Sequence, residues 1–249
     1  MEELKIAVGG IPVSLYSIPQ KPEGKKPLGI FFLHGRTWTS DSTIKRWYDY
    51  LTSVLEAFPE KVYLIAFDQR NHGERMVNEI HNKGKDENPN HALDMFAIQY
   101  GTAKDVSYLI DCLPLFVDIQ RWWVFGFSLG GHATLLSLVV EDRLELGISI
   151  VGCGDYATLM KMRDLPVSPA LERLLNERDP INNIGKLKGR NLLCLNGGAD
   201  DLVQAAANNE FAKHLQSGSF RYVVDPDAKH ELSELMKTLI KDYFQSHYQ

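Results

Sequence analysis

The chain has 249 residues, which is enough for one large α/β domain or two small ones. Hydrophobic residues make up 44% and charged residues 24%, an ordinary globular composition that argues against a disordered or fibrous protein. The 27 basic and 32 acidic residues give a net charge of −5, and Lys and Arg form no local run. We therefore expect no nucleic-acid partner and no attraction to anionic lipid.

The composition of individual segments points to a cytoplasmic protein. No segment approaches the roughly 18 consecutive apolar residues that a membrane span needs, so we expect no membrane association. The opening segment MEELKIAVGG is acidic and amphipathic, which is not typical of a secretory signal. The three cysteines lie far apart in apolar runs, as expected of reduced, buried thiols.

Short apolar or β-branched runs recur along the chain and predict eight strands. In chain order they are 4–8, 11–17, 28–33, 61–67, 122–127, 146–151, 191–195 and 219–224. Only Gly9 and Gly10 separate the first two runs, which predicts a tight antiparallel hairpin. The four runs between residues 28 and 151 show little alternation, as expected of strands buried on both faces.

Helical patterns lie between the later strands and complete the fold prediction. They cover 42–58, 99–118, 129–141, 201–215 and 231–245. A hairpin followed by alternating strands and helices predicts an α/β fold with a mostly parallel, eight-stranded sheet and helices on both faces. We expect one domain over residues 1–249, with the apolar run 122–127 near the centre of the sheet.

Two connections, 72–97 and 152–187, are longer than a crossover requires. They are too short for a second domain, so we interpret them as longer loops or small cap insertions. Long structured loops on such a sheet usually shape a binding site, and surface decoration is the alternative, mainly for the first.

The most informative segment is Gly126-Phe127-Ser128-Leu129-Gly130, which has the pattern G-x-S-x-G. An apolar strand leads into it and a helical pattern leads out. Such a turn forces Ser128 into a strained conformation with its hydroxyl exposed above the sheet, beside the positive end of a helix. We interpret Ser128 as a nucleophile; the alternative is an incidental serine in a Gly-rich turn.

A serine hydroxyl needs a base to remove its proton, and position selects His230 among the eight histidines. It follows the last predicted strand, at the carboxyl edge of the sheet where ligands bind in open α/β folds. His132, four residues after Ser128, is expected to point away from the turn and to be packed or solvated. The polar loop contains three further histidines, His72, His81 and His91. Their spacing matches no metal-ligand motif, so we expect no metal site.

An acid should follow the strand at 191–195, where Asp200 and Asp201 are adjacent. A carboxylate there can accept the imidazole N–H and stabilise the imidazolium. The other aspartate is expected to cap the helix predicted over 201–215.

The segment His34-Gly35-Arg36 follows the third predicted strand. We expect the backbone N–H groups of Arg36 and Leu129 to form an oxyanion hole across the sheet top. A simple strand-ending turn is the alternative.

The Arg36 side chain has two possible destinations. It can pair with a carboxylate of the neighbouring loop, Glu74 being the candidate, or project into the cleft and select substrates with a carboxylate or phosphate. The first destination is our expectation.

Apolar residues of the second long connection are candidates for an acyl pocket. They could line it, or could equally be the core contact of a short helix: Tyr156, Leu159, Met160, Met162 and Leu165. Trp38, after the oxyanion turn, is a further candidate for its border.

These residues resemble the α/β-hydrolase fold family over nearly the whole chain. The resemblance is carried by LHGR, FDQRNHG, GFSLGG, GGADDLV and AKHE, in the order Ser…Asp…His that this fold uses. Gly197, Asp200 and Val203 fit the family's G-x-x-D-x-x-V frame, which favours Asp200 as the acid. The compact plan is similar to small carboxylesterases and to the dienelactone-hydrolase or peptidase-like branch. The chain departs from dienelactone hydrolases, which have Cys at the turn, and we expect it to lack the large extra domain of prolyl oligopeptidases.

The resemblance and the residues together predict a serine hydrolase. We expect it to cleave a small or medium carboxylic ester or thioester through an acyl-enzyme, with no cofactor. Other acyl chemistry on the same residues remains open, namely a peptidase, an acyltransferase or a carbon–carbon hydrolase. A non-catalytic binding protein on this scaffold is the alternative from another class. The sequence gives no indication of oligomeric state.

Overall fold

The computed structural model describes residues 1–19, 21–23, 26–215 and 219–248. Eight strands form one sheet: β1 (Glu2–Val8), β2 (Ile11–Ser17), β3 (Leu28–Leu33), β4 (Val62–Phe67), β5 (Arg121–Phe127), β6 (Leu144–Ile150), β7 (Asn191–Gly197) and β8 (Phe220–Asp225). Their spatial order is β1-β2-β4-β3-β5-β6-β7-β8. The β1–β2 hairpin and the β2–β4 pair are antiparallel, and every later pair is parallel.

The helices are α1 (Ser40–Arg46), α2 (Tyr48–Glu56), α3 (His91–Cys112), α4 (Leu129–Val140), α5 (Tyr156–Met162), α6 (Pro169–Arg178), α7 (Ile184–Leu187), α8 (Asn209–His214) and α9 (Glu234–His247). They cover both faces of the sheet, as predicted. One apolar layer joins the sheet to α1, α2 and α9, and the opposite layer joins it to α3, α4 and α8.

The alternation of side chains along β3 shows why its continuous apolar run forms a central strand. Phe32 stacks on Phe125 at 4.4 Å between ring centroids in one layer, and Phe31 stacks on Trp122 at 5.7 Å in the other. Because successive strand residues point to opposite faces, a strand covered on both sides needs apolar residues throughout. β5 lies between β3 and β6, which confirms the predicted central position.

Three predicted helices differ from the observed ones. The helix expected over 42–58 is two helices, α1 and α2, which meet at Trp47 with φ −117° and ψ 25°. The helix expected over 99–118 begins at His91 and ends at Cys112. The helix expected over 201–215 is a 3₁₀ turn, Ala205–Asn208, followed by α8.

Side-chain packing accounts for the first two differences. The Trp47 ring packs edge-on against Trp38 at 5.6 Å and Phe127 at 5.2 Å, so tertiary packing fixes the chain where the helix bends. The N-terminal part of α3 has apolar residues at helical spacing, Ala92, Met95 and Phe96, and they are buried in the third apolar cluster. The polar loop before it therefore ends eight residues earlier than the helical pattern predicted.

The two long connections differ in structure. The first contains only two 3₁₀ turns before α3, Gly73–Arg75 and Glu79–Asn82. The second is largely helical and contains α5, α6 and α7. Within the described ranges, no helix is both long and apolar enough to cross a membrane.

Candidate active site

Ser128 lies between β5 and α4 in a backbone conformation that side chains rarely adopt, with φ 55° and ψ −111°. Its backbone N–H donates to the carbonyl of Ile150 at 2.8 Å, which fixes the turn against β6. The turn also requires Gly130, because a Cβ there would collide with the backbone carbonyl of Leu33 on β3. The predicted strained turn is therefore present, and it presents Ser128 at the carboxyl end of the central strand.

The structure brings Ser128, His230 and Asp200 together in one hydrogen-bonded chain. Ser128 Oγ lies 2.7 Å from His230 Nε2, and His230 Nδ1 lies 2.8 Å from Asp200 Oδ2. The Asp200 side chain is fully buried, whereas the imidazole is 21% exposed. This geometry lets the imidazole accept the serine proton while the carboxylate holds the ring and its tautomer.

The two adjacent aspartates have different environments, and one expectation about them is wrong. Asp201 is exposed and caps no helix. Instead Asp200 Oδ1 accepts hydrogen bonds from the backbone N–H groups of Leu202 at 2.8 Å and Val203 at 2.9 Å. One carboxylate thus orients the imidazole and also closes the turn after β7, the capping role expected of Asp201.

The predicted oxyanion segment lies directly against the Ser128 turn. The backbone N–H of Gly130 donates to the carbonyl of His34 at 3.1 Å, which ties the two segments together. In the described part of the chain, the backbone N–H groups of Arg36 and Leu129 have no acceptor, and both residues line the cavity above Ser128. Two unpaired donors beside a nucleophile can stabilise the negative charge that develops on a carbonyl oxygen.

Two buried histidines, His34 and His72, hold this segment in place. His34 Nε2 accepts the N–H of Gln69 at 2.9 Å, so Nδ1 carries the proton and donates to the carbonyl of Gly35 at 2.9 Å. His72 Nε2 accepts the N–H of Thr37 at 3.4 Å. Burial lowers the pKa of both histidines, that of His34 to about 4, so both rings are neutral near pH 7.

A cavity of about 240 Å³ opens above Ser128. Four of the six predicted pocket residues line it: Trp38, Tyr156, Leu159 and Met160. Met162, which is 40% exposed, and Leu165 do not line it, so those two expectations are wrong. The three α5 residues among the four line the cavity and also belong to a buried apolar cluster, the core contact of this short helix. Trp38 lies parallel to Phe127, with an angle of 1° between rings whose centroids are 5.2 Å apart.

Further cavity residues come from elements that the sequence analysis did not connect with the site. His91, Met95 and Gln99 line the cavity from α3, and Arg163 lines it from the end of α5. The spacing of the three α3 residues, four residues apart, places them on one helix face. A helix start at His91 would have revealed that face, but its contact with the cavity depends on tertiary packing.

His132 lies closer to the site than expected. It is buried and lines the cavity, and its Nδ1 lies 3.1 Å from both the backbone N and O of Cys153. Burial lowers its pKa to about 4. The ring is therefore packed, one of the two expected environments, and it also lines the cavity.

The Arg36 side chain does not pair with Glu74, so that expectation is wrong as well. Its Nη1 donates to the backbone carbonyl of Asn82 at 2.7 Å, and the residue lines the cavity. Burial, together with the positive charge of Arg163, lowers the pKa of the Arg36 guanidinium.

Fold and site define the class of protein. The eight-stranded sheet, the strained serine at the end of β5, and an acid and a histidine after β7 and β8 make this an α/β-hydrolase fold. The sequence model of the prolyl oligopeptidase family matches residues 102–246, more than half of the chain and the part that holds Ser128, Asp200 and His230. The chain belongs to the prolyl oligopeptidase family.

Solved structures support the fold. TT1662 from Thermus thermophilus is similar with a TM-score of 0.76 and 21% identity, covering 98% of this chain and 97% of that one. The Pyrococcus furiosus esterase Pf2001 is similar with a TM-score of 0.64 and 17% identity, covering 100% and 93%. Acetyl xylan esterase 1 from a Thermoanaerobacterium species is similar with a TM-score of 0.67 and 20% identity, covering 99% and 83%. Among curated proteins, no sequence matches this chain.

Proposed function

We propose that the protein is a serine hydrolase that cleaves a small carboxylic ester or thioester through an acyl-enzyme. The observation that carries the proposal is the continuous hydrogen-bonded chain from Ser128 Oγ through His230 to Asp200, at 2.7 and 2.8 Å. It lies at the floor of a cavity, beside two backbone N–H groups that have no acceptor in the described residues.

In the proposed reaction, Ser128 Oγ attacks the ester carbonyl while His230 Nε2 takes its proton. The N–H groups of Arg36 and Leu129 receive the carbonyl oxygen as it becomes negative. His230 then gives its proton to the leaving alcohol as the carbon–oxygen bond breaks. A water molecule, deprotonated by His230, attacks the acyl-enzyme, and the proton returned to Ser128 Oγ releases the acid.

The size of the cavity argues for a short acyl group. A volume of about 240 Å³ lies below the usual range for sites that hold drug-sized ligands. Leu159 and Met160, each 1% exposed, form an apolar wall against which a few methylene groups can pack.

Peptide-bond cleavage is the second candidate, and the match to the prolyl oligopeptidase family favours it. The same three side chains serve both reactions, since His230 can protonate a leaving amine as well as an alcohol. Esterase is preferred because the acetyl xylan and Pyrococcus structures, both named as esterases, share the fold over 99% or more of this chain.

The proposal is tested with a fluorophosphonate probe and a panel of p-nitrophenyl esters of increasing chain length. We expect labelling of Ser128 and turnover of the short esters, and we expect the Ser128→Ala variant to lose both. Matched p-nitroanilides of amino acids separate the two candidates. An unlabelled serine in the folded protein, together with no turnover of any ester or anilide, would overturn the proposal.

A further inference from the structure

The cavity above Ser128 is cationic, although the whole chain carries a net charge of −5. Two arginines, Arg36 and Arg163, line it, and among the described residues its lining holds no aspartate or glutamate, the buried Asp200 lying behind His230. Lys85 adds a third positive charge nearby, because its Nζ donates to the backbone carbonyl of Arg163 at 3.3 Å. The acidic surface therefore encloses a pocket of opposite sign, an arrangement that concentrates anions.

Neither arginine is neutralised within the described residues. Arg163 makes no side-chain hydrogen bond or ion pair there, and Arg36 makes only its bond to the neutral carbonyl of Asn82. By contrast, arginines elsewhere are paired, such as Arg70 and Arg75, which both contact Asp105 at 2.8 Å. Two unpaired guanidinium groups beside one cavity repel each other, and a bound anion would relieve that repulsion.

The neutral groups around the arginines are also polar. His91 and His132 line the same cavity, and burial and the charge of Arg163 lower the pKa of both rings. Gln99 lies on this wall as well, 3% exposed, and its Oε1 has no hydrogen-bond partner in the described chain. This end of the cavity therefore offers charge and hydrogen bonds, whereas Leu159 and Met160 form an apolar wall.

We propose that the substrate is an ester that bears a carboxylate, which binds between the side chains of Arg36 and Arg163. The inference rests on the proposed ester hydrolysis and names its substrate class. A guanidinium binds a carboxylate through two parallel N–H···O bonds, and Arg36 keeps N–H groups beyond the one that donates to Asn82. Arg163 is thereby a specificity-determining residue supplied by the second long connection.

The first experiment compares kcat/KM for pairs of esters that differ in one charge. The p-nitrophenyl hemiester of glutarate is compared with p-nitrophenyl valerate, which has an acyl chain of equal length. A carboxylate on the alcohol side of the ester is tested by comparing kcat/KM for 4-acetoxybenzoate with that for its methyl ester. The rate of spontaneous hydrolysis is measured in the presence of the Ser128→Ala variant and subtracted from each rate. We expect the anionic member of at least one pair to be preferred, and the pair shows which side of the ester carries the carboxylate.

The variants identify the groups responsible for this preference. Arg163→Gln should lower the anionic-to-neutral ratio about 10- to 100-fold, the range for loss of a charge-assisted hydrogen bond. Arg36→Gln should also lower the anionic-to-neutral ratio. Lys161→Gln removes an exposed charge from the same helix, outside the cavity, and should leave the ratio unchanged. Equal turnover within both pairs, or a ratio that Arg163→Gln does not alter, would overturn the inference while ester hydrolysis itself stands.

A binding measurement tests the anion site without turnover. Calorimetry of glutarate and 4-hydroxybenzoate with the Ser128→Ala protein should show binding of at least one of them. The Arg163→Gln change in that background should weaken it by a similar factor. If neither anion binds, the inference is wrong whether or not the protein hydrolyses esters. If one binds and no ester is cleaved, the carboxylate site between the arginines stands, and ester hydrolysis and the ester substrate fail.

Discussion

Asp200 holds His230 through Oδ2 at 2.8 Å, and at the same time its Oδ1 accepts two backbone N–H groups of the following turn. A carboxylate with both oxygens engaged cannot rotate away from the imidazole. The second oxygen thus makes the orientation of His230 depend on the turn after β7.

Asp200→Asn should lower kcat by about 10⁴-fold, because the imidazole loses its orienting charge and its correct tautomer. Asp201→Asn is the matched control on the neighbouring, exposed position, and should change stability by less than about 0.5 kcal/mol. Ester turnover and urea unfolding of both variants check this. Inactivity of the Asp201 variant with normal activity of the Asp200 variant would reverse the assignment.

Gly130→Ala should lower stability by about 1–3 kcal/mol and also reduce kcat, because the new methyl group meets the backbone of β3, which a rotamer change cannot relieve. That strand leads directly into the oxyanion segment. Gly185→Ala is the control, since nothing lies within 4 Å of a Cβ on that helical glycine. It should be neutral or stabilising. Thermal unfolding and turnover of both variants distinguish the two sites, and unchanged activity of the Gly130 variant would contradict the role of this contact.

Asp179 should make the protein less stable as the pH rises towards about 8. The residue is fully buried, and burial and the nearby Asp155 raise its pKa to about 8. Its Oδ2 accepts the N–H of Tyr156 at 2.9 Å, while Oδ1 has no hydrogen-bond partner in the described chain. Since the folded state holds this proton more tightly than the unfolded chain, the free energy of unfolding falls as the pH rises towards about 8.

Urea unfolding between pH 6.5 and 8.5 measures that slope. Asp179→Asn keeps an acceptor for the Tyr156 N–H and removes the titration, so it should flatten the slope and stabilise the protein at pH 8.5. A variant less stable than the wild type at pH 8.5 would show that the charged carboxylate is the stabilising form.

Below pH 6.5, buried histidines should produce a slope of the opposite sign. Burial lowers the pKa of His34 and His132 to about 4 from 6.5, so the unfolded chain binds protons more tightly there. The free energy of unfolding should therefore fall as the pH falls from 6.5 towards 4. The same urea series, run in the Asp179→Asn background to remove the opposing carboxyl, checks this; a flat profile would contradict burial of neutral rings.

Met160→Ala should move the preferred acyl chain to longer esters. The side chain is 1% exposed and lines the cavity, so its truncation enlarges the space above Ser128. Each additional methylene that becomes buried should gain about 0.8 kcal/mol, or roughly fourfold in kcat/KM. Met162→Ala, on the same helix but 40% exposed, should leave the chain-length profile unchanged. If both variants keep the wild-type profile, α5 does not border the acyl group.

The sequence predicted the sheet well because the physical causes of its strands are local. A continuous apolar run such as LGIFFL is needed wherever a strand is covered on both faces, and β3 is observed at the predicted residues. The Ser128 turn was equally predictable from the sequence. A strand, a G-x-S-x-G segment and a helix in direct succession leave few backbone conformations for the serine. The choice of His230 among the eight histidines rested on its position after the last strand.

Tertiary structure alone decided the surroundings of these residues. The break at Trp47, the neutral rings of His34 and His132, and the destination of the Arg36 side chain all depend on groups distant in the chain. The same holds for the cationic end of the cavity, where Arg36 and Arg163 are brought together from separate connections. Periodicity fixes which face of an element is buried, but which side chains meet across a cavity depends on how the elements pack, and that information is spread over the whole chain.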